Sequence, residues 1–139
     1  MAIAIRHGTE GDLEAVRRIQ DRSGEAARWP PEDYLGRDFR VAVEDGRVAG
    51  FLVARRLTES ESEILNLAVD PGCRRRGVAS ELVGEWVAEA PGVVFLEVRE
   101  SNQNARKFYQ AFGFQEVGYR CQYYGDPPEA AIVLKFHSC

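Results

Sequence analysis

The sequence predicts an α/β domain in which helices cover both faces of a mixed sheet. Three observations favour this class. Short β-rich runs recur along the chain, segments with one apolar helical face separate several of them, and Asp45-Gly46 stands between two β-rich runs as a hairpin turn. A chain of 139 residues suits a single core. We therefore expect residues 1–139 to form one domain.

The first half of the chain begins with a strand in the run IAIRHG and continues with a helix from Thr9, a candidate N-cap residue. The apolar face of this helix comprises Leu13, Val16 and Ile19. In the irregular stretch that follows, Pro30-Pro31 can begin a short second helix. The run FRVAVEDGRVAGFLVARRL then predicts the hairpin, and SEILNLAVD predicts a further strand.

The second half of the chain alternates helices and strands. Residues 77–90 have helical spacing, with an apolar face made of Ala79, Leu82, Val83, Trp86, Val87 and Ala90. The run GVVFLEVRE predicts a strand, and NQNARKFYQAFG predicts a helix that ends at Gly113. The runs FQEVGYRCQYY and EAAIVLKFH predict two final strands around the loop GDPP.

The composition argues against several classes of protein. A net charge of −4 gives little support for nucleic-acid binding, and no apolar run approaches the ~18–20 residues of a membrane span. The N-terminus lacks the pattern of a signal peptide, so we expect a cytoplasmic protein. The three cysteines, Cys73, Cys121 and Cys139, are an odd number without metal-ligand spacing. We expect neither a disulfide framework nor a metal site.

The stretch RRRGVA, residues 74–79, follows the run ILNLAV and the turn DPG, and it opens the next helix. The first N–H groups of a helix have no partner within it, and the helix macrodipole is positive there. Gly77 lets a ligand approach the backbone, and the arginines add charge that no acidic residue is expected to cancel. This corner predicts a site for a diphosphate, although a solvated basic loop has the same composition.

The pattern Arg74-x-x-Gly77-x-Ala79 resembles the [QR]-x-x-G-x-[GA] motif of the GCN5-related N-acetyltransferases, the GNAT superfamily. The runs ILNLAVDP and LEVRESNQNARKFYQAFGFQEVGYRCQYY resemble the bacterial ribosomal-protein-alanine N-acetyltransferases in particular. The resemblance covers roughly residues 61–136. It implies an acetyl-CoA-dependent N-acetyltransferase, an acyltransferase whose twisted, mostly antiparallel sheet has about seven strands.

The resemblance also implies which residues bind acetyl-CoA, the co-substrate. Backbone groups of Leu67, Ala68 and Val69 would hold the pantetheine and acetyl part. The loop that would hold the pyrophosphate, largely through backbone N–H groups, comprises Arg74, Arg75, Arg76, Gly77, Val78, Ala79 and Ser80. Either Ser101 or Asn102 can cap the following helix. The resemblance implies that the Asn102 amide contacts the CoA chain, and Ser101 can cap the helix while Asn102 binds.

Glu97 and Tyr109 are the candidate catalytic residues. Alternation puts Glu97 on one strand face with Phe95 and Arg99, where a carboxylate is either partly desolvated by the ring or paired at the rim. Tyr109 lies on the apolar face of its helix, where an aromatic residue is usually part of the core. The resemblance implies that Glu97 accepts the proton of the substrate amine and that Tyr109 protonates the leaving thiolate.

The acceptor implied by the resemblance is the N-terminal α-amine of a ribosomal protein that begins with alanine, with no direct nucleic-acid or membrane partner. An α-amine has a pKa of about 7.7–8.0 against about 10.4 for lysine, so a modest base deprotonates it more easily. The acceptor-side runs ARWPPEDYL and YYGDPPEAA depart from the family's pattern, although Tyr123 and Tyr124 are retained. A small-molecule amine acetyltransferase and a non-catalytic acetyl-CoA-binding module therefore stay open as alternatives.

Overall fold

The computed structural model describes residues 2–24, 29–90, 92–125 and 128–138. Two compact units make up the chain: Met1–Arg55 with Ile64–Glu89, and Arg56–Glu63 with Ala90–Cys139. Within the described residues the strands are β1 (Ile3–His7), β2 (Asp38–Glu44), β3 (Arg47–Thr58), β4 (Glu61–Val69), β5 (Gly92–Arg99), β6 (Gln115–Gly125) and β7 (Pro128–Ser138). The α-helices in the same ranges are α1 (Leu13–Arg22), α2 (Val78–Glu89) and α3 (Gln103–Phe112). These elements follow the predicted order.

In the first unit the strands are ordered β1-β2-β3-β4. Both β1 and β3 pair antiparallel with β2. The turn between β2 and β3 has positive φ at both central residues, 53° at Asp45 and 75° at Gly46. A two-residue hairpin loop needs this backbone because its twist matches that of the two strands. The predicted hairpin is therefore confirmed.

Helices cover both faces of the sheet in this unit. One face packs on α1 and on the 3-10 helix Pro31–Gly36, which is the short helix predicted at Pro30-Pro31. The core on this face comprises Leu13, Val16, Ile19, Tyr34, Phe39, Val41, Phe51, Val53 and Ala68. On the other face α2 lies over Gly50, where an added Cβ would stand 3.0 Å from Val78 Cγ1. Glycine at position 50 therefore allows α2 to pack close against β3.

A buried polar network joins the elements on the first face. The Tyr34 hydroxyl donates to Gln20 Oε1 at 2.5 Å, and Asn66 Nδ2 donates to the Tyr34 oxygen at 3.1 Å. Gln20 Nε2 also donates to the carbonyl oxygen of Trp29 at 2.7 Å. Burial raises the pKa of Tyr34, so its hydroxyl keeps its proton at neutral pH. The network ties α1 and the 3-10 helix to β4.

In the second unit the strands are ordered β5-β7-β6, and both pairings are antiparallel. Val94 and Leu96 of β5 are buried on one face, and Val94 lies opposite Phe136 of β7. Phe136 stacks on Phe114, with 5.1 Å between ring centroids, and contacts Phe112 of α3 at 5.5 Å. The helix α3 therefore packs on this face of the unit. The pairings within the two units confirm a mostly antiparallel arrangement.

Two helix ends confirm the signals read in the sequence. Thr9 and Asp12 form a capping box, in which the Thr9 N–H donates to Asp12 Oδ2 at 2.8 Å. The helix α3 stops at Gly113, where φ is 128°, a value that favours glycine. Within the ranges that the structure describes, no helix is long and apolar enough to cross a membrane.

Candidate active site

The chain between β4 and α2, in the first unit, is fixed at its start by Asp70. This residue is buried, and its Oδ1 accepts a hydrogen bond from the Gly72 N–H at 3.0 Å. Arg22 Nη1 lies 3.4 Å from the same carboxylate oxygen, and the Asp70 N–H donates to the Ala49 carbonyl oxygen at 2.8 Å. The predicted DPG turn is therefore anchored to α1 and β3 before the arginines begin.

The backbone of the arginine-glycine loop, residues 74–80, alternates in handedness. The φ angle is 67° at Arg75 and 82° at Gly77, whereas φ of Arg76 is not positive. The Glu81 N–H donates to the Gly77 carbonyl oxygen at 3.0 Å, the first hydrogen bond of the helix. At the helix start, the backbone N–H groups of residues 77–80 donate to no backbone acceptor among the residues that the structure describes. Alternating handedness and unpaired N–H groups at a helix start form a concave site suited to an anion.

The three arginines of this loop differ in their surroundings. Arg74 and Arg75 are exposed and form no ion pair with the described residues. Arg76 Nη1 donates to Glu44 Oε1 at 2.7 Å, and this hydrogen bond raises the pKa of Arg76. The expectation that no acidic residue cancels the charge of the loop is therefore wrong for Arg76. Its partner lies 32 residues away along the chain, a distance that no local motif reveals.

The other residues expected to bind acetyl-CoA in the first unit flank this loop. At the end of β4, Ala68 is buried while Leu67 and Val69 are half-buried. At the start of α2, the side chain of Val78 is buried, that of Ala79 is half-buried and that of Ser80 is exposed. The end of one strand and the beginning of one helix thus lie on either side of the arginine-glycine loop.

Glu97, in the second unit, faces away from the side on which α3 packs, because the alternating residues Val94 and Leu96 occupy that side. The Glu97 side chain is 14% exposed, and its Oε1 lies 3.1 Å from Arg120 Nε. Strand β7 lies between these two residues. Glu97 of β5 pairs with Val133 of β7, and Arg120 of β6 pairs with Ala131, which is two residues earlier on the same face of β7. The sequence left open whether the Glu97 carboxylate is desolvated by the Phe95 ring or paired at the rim, and the structure shows it paired with Arg120.

Further charges lie on the same face as Glu97. Arg99 follows two residues later on β5, and its Nη1 lies 3.3 Å from Glu129 Oε1. Local sequence patterns do not indicate Arg120 and Glu129 as site residues, because their proximity to β5 depends on β7 lying between β5 and β6. Glu129 supplies an acidic side chain in the acceptor-side run YYGDPPEAA. Glu97 therefore stands in a row of alternating charges.

Tyr109 lies on α3 and is buried among aromatic rings. Its ring meets Phe108 and Phe114 edge to face, with centroids 5.1 Å and 5.2 Å away. Its hydroxyl forms no hydrogen bond with any residue that the structure describes, and burial raises its pKa. A phenol in these surroundings keeps its proton at neutral pH. The side chain is therefore both a core residue and a potential proton donor.

Asn102 is the N-cap of α3. Its Oδ1 accepts a hydrogen bond from the Ala105 N–H at 3.1 Å, so of the two candidate caps, Ser101 and Asn102, the structure shows Asn102. The Ser101 N–H instead donates to Glu129 Oε2 at 2.6 Å, and hydrogen bonding to Ser101 lowers the pKa of Glu129. Because the cap uses only the carbonyl oxygen of the Asn102 side chain, its Nδ2 group is left as the donor toward a ligand.

Several residues named from the sequence lie outside the described residues: positions 25–28 and 126–127, the side chains of Tyr123 and Tyr124, and Cys139. Trp29, on the acceptor side, is exposed. Cys73 and Cys121 are free thiols. Among the described residues no cluster of histidine, cysteine, aspartate or glutamate could hold a metal ion.

The sequence profile of the acetyltransferase (GNAT) family matches residues 10–114, a range that includes the arginine-glycine loop, Glu97 and Tyr109. The chain belongs to the GNAT family. It is therefore an acetyltransferase and, by reaction class, an acyltransferase. The match runs from the first compact unit into the second.

Known relatives of this GNAT acetyltransferase include enzymes with a stated acceptor. It is 32% identical over 135 residues to the ribosomal protein bS18-alanine N-acetyltransferase of Salmonella typhimurium, with 88% of this chain and 89% of the relative covered. The structure of Ard1 from Thermoplasma volcanium superposes with a TM-score of 0.91 at 30% identity, covering 100% of this chain and 99% of that one. A GNAT family acetyltransferase from Elizabethkingia anophelis, solved with acetyl-CoA bound, shares the fold, with a TM-score of 0.80, 19% identity and 97% of each chain covered.

Proposed function

We propose that this GNAT acetyltransferase binds acetyl-CoA at the arginine-glycine loop and transfers the acetyl group directly to a protein N-terminal α-amine. The observation that carries the proposal is the loop backbone, with positive φ at Arg75 and Gly77 and unpaired N–H groups in the described structure. The CoA pyrophosphate has the charge and the acceptor oxygens that such a backbone accommodates. The continuous family match supports the further proposal that residues 1–139 act as one N-acetyltransferase domain.

The binding roles follow from the partners that each group already has. Arg74 and Arg75 would supply charge to the phosphates, since neither has an acidic partner among the described residues. Backbone groups of Leu67 to Val69 would hold the pantetheine and acetyl part, as the family resemblance implies. Asn102 would donate to the CoA chain through Nδ2, because its Oδ1 caps α3. When bound, acetyl-CoA supplies the activated acetyl group as a thioester.

Glu97 would act as the general base. A glutamate carboxylate is ionised at neutral pH and can take a proton from an ammonium group. Arg120 Nε contacts Glu97 Oε1 at 3.1 Å and so restricts the orientation of the carboxylate. The neutral amine nitrogen then attacks the thioester carbonyl carbon and forms the new C–N bond. A backbone N–H near Val69 would stabilise the oxyanion of the tetrahedral species.

Tyr109 would act as the general acid. As the tetrahedral species collapses, the C=O bond re-forms, the C–S bond breaks and the sulfur takes the phenolic proton. The nitrogen gives its remaining surplus proton to water, and Glu97 and Tyr109 then return to their starting protonation states by exchange with solvent. The role requires a phenol that is protonated at neutral pH, and Tyr109 meets this requirement because burial raises its pKa above the ordinary value of about 10. Glu97 lies on the face of β5 opposite to α3, which carries Tyr109. The base and the acid act on different atoms, the amine nitrogen and the thiol sulfur, so the roles require no hydrogen bond between them.

The acceptor that we propose is the N-terminus of a ribosomal protein beginning with alanine. The support comes from the relative in Salmonella typhimurium, whose name states this class of acceptor. Chemistry supports the same choice, because an α-amine with a pKa of about 7.7–8.0 needs less help from a carboxylate base than lysine does.

The decisive assay measures release of free CoA thiol with a peptide beginning Ala-Arg. Its controls are the same peptide with a blocked N-terminus, an internal-lysine peptide and a panel of small amines. We expect turnover with the free α-amine alone. Turnover with small amines but not with the peptide contradicts the proposed acceptor. Separately, CoA at a hundred times its Kd should stabilise the fold by about 2.7 kcal/mol, and an unchanged Tm contradicts acetyl-CoA binding.

A further inference from the structure

The ion pair between Glu44 and Arg76 ties the acetyl-CoA loop to the hairpin of β2 and β3. We infer that Glu44 is a positioning residue for this loop, and that Arg76 holds the loop in place instead of binding phosphate. The inference rests on the proposed function, since it concerns the same site. It changes the role that the sequence motif suggests for its third arginine.

The two partners are buried to very different extents. The Glu44 side chain is 6% exposed, whereas that of Arg76 is 47% exposed. A buried carboxylate without a partner is unfavourable, and the side-chain partner of Glu44 among the described residues is Arg76, at 2.7 Å. If Arg76 turned toward a phosphate, Glu44 would be left buried and unpaired. Burial therefore favours an ion pair that persists when the ligand binds.

Glu44 is a fixed point from which to hold a loop. It is the last residue of β2, and it is paired with Ile3 of β1 on one side and with Arg47 of β3 on the other. The turn at Asp45 and Gly46 closes the hairpin immediately after it. The backbone of Glu44 is thus constrained by two strands, and its short side chain transfers that constraint to Arg76.

The loop needs such a constraint at the position next to Arg76. Arg75 has φ of 67°, a left-handed conformation that is unfavourable for a residue with a Cβ atom. Strained backbone of this kind persists only where neighbouring contacts hold it. The Arg76–Glu44 pair lies one residue away and can supply that contact. Without this ion pair, Arg75 can relax to negative φ, and this relaxation turns the backbone N–H groups of the loop away from the proposed anion site.

The two possible roles of Arg76 predict opposite signs for one substitution. If Arg76 binds phosphate, Glu44 competes with the ligand for it, so Glu44→Gln should tighten CoA binding. If Arg76 holds the loop, Glu44→Gln removes the anchor and should weaken binding, even though it also removes a negative charge near the phosphates.

The experiment is a calorimetric measurement of the Kd for CoA in the full chain. We compare the wild type, Glu44→Gln, Arg76→Ala and the double variant, and we confirm by circular dichroism that each is folded. We expect each single variant to weaken binding by roughly three- to tenfold, and the double variant to be no weaker than either. Asp45→Asn is the matched control, because it removes the same charge from an exposed neighbour without breaking the pair. This control should leave the Kd unchanged or lower it.

Tighter or unchanged binding in Glu44→Gln overturns the inference while leaving acetyl-CoA binding intact. Additive losses in the double variant overturn it as well. A wild-type chain that does not bind CoA at all overturns the proposed function itself. Should Glu44→Gln fail to fold, Glu44→Asp decides the question, because it keeps the charge but shortens the anchor. The positioning role then requires weaker binding, and competition for Arg76 requires tighter or unchanged binding.

Discussion

Replacing Tyr109 with phenylalanine separates a catalytic role of its hydroxyl from a structural one. The ring contacts with Phe108 and Phe114 remain in Tyr109→Phe, and only the hydroxyl is lost. That hydroxyl forms no hydrogen bond to a described residue, so its removal breaks no bond there. We therefore expect the free energy of unfolding to stay within about 1 kcal/mol of the wild type or to rise.

The matched control is Tyr34→Phe. The Tyr34 hydroxyl bonds Gln20 at 2.5 Å and Asn66 at 3.1 Å, and its loss removes both hydrogen bonds from a buried network in which Asn66 Nδ2 also donates to Gln20 Oε1 at 3.3 Å. Each lost hydrogen bond contributes about 0.5–1.5 kcal/mol, so Tyr34→Phe should be the less stable variant by at least about 1 kcal/mol. Urea unfolding curves measure both values.

The two variants should have the reverse order in turnover, with Tyr109→Phe the more impaired enzyme. We expect Tyr109→Phe to lower kcat by about a hundredfold, the lower end of a general acid's contribution, because a thiolate is a moderate leaving group. The defect should shrink with an acetyl donor whose thiol has a lower pKa. If Tyr109→Phe is as active as the wild type, or loses as much stability as Tyr34→Phe, the hydroxyl is structural and the assignment of the acid is refuted.

Three further results are expected. Glu97→Gln should lower the rate of acetyl transfer by about 10²–10⁴-fold, with a partial recovery at high pH, where the amine is deprotonated without a base from the protein. Near-normal turnover at pH 7 would mean that Glu97 is only a rim residue. Gly77→Asp should weaken CoA binding by at least about ten times more than Arg75→Ala, because aspartate adds a Cβ at φ of 82° and a negative charge. Equal Kd values for the two variants would argue against a backbone phosphate site. Because hydrogen bonding to Arg6 lowers the pKa of Asp12, that carboxylate stabilises the fold above its unfolded pKa of about 3.9 and loses this effect as pH falls through the folded value. Asp12→Asn should therefore be less stable than the wild type at pH 7 and approach it in acid, as followed by urea unfolding at several pH values.

Features governed by local pattern could be predicted from the sequence. The hairpin at Asp45-Gly46, the capping box at Thr9 and the stop at Gly113 depend on backbone preferences of residues only a few positions apart. The glycine turn and the helix start at residues 74–80 belong to the same group, since they are adjacent in the chain.

Long-range pairing could not be predicted in the same way. Glu97 meets Arg120 only because β7 lies between β5 and β6, and the order of strands leaves no trace in local periodicity. Arg76 and Glu44 are likewise brought together by tertiary packing. The cap of α3 stayed open in the sequence for a different reason: Ser101 and Asn102 are both good cap residues, and backbone angles decide between neighbours.

The left-handed backbone at Arg75 bears on which sequences this loop can tolerate. Recognition through main-chain N–H groups depends on the backbone conformation at position 75, and the positive charge of Arg75 adds to it without setting that conformation. Position 75 is not free to vary in shape. Valine, isoleucine and threonine, with two heavy substituents on Cβ, are poorly accommodated at positive φ, whereas asparagine and glycine are well suited to it. In a saturation library at this codon, selected for binding, branching at Cβ should therefore have the larger effect and side-chain charge the smaller one.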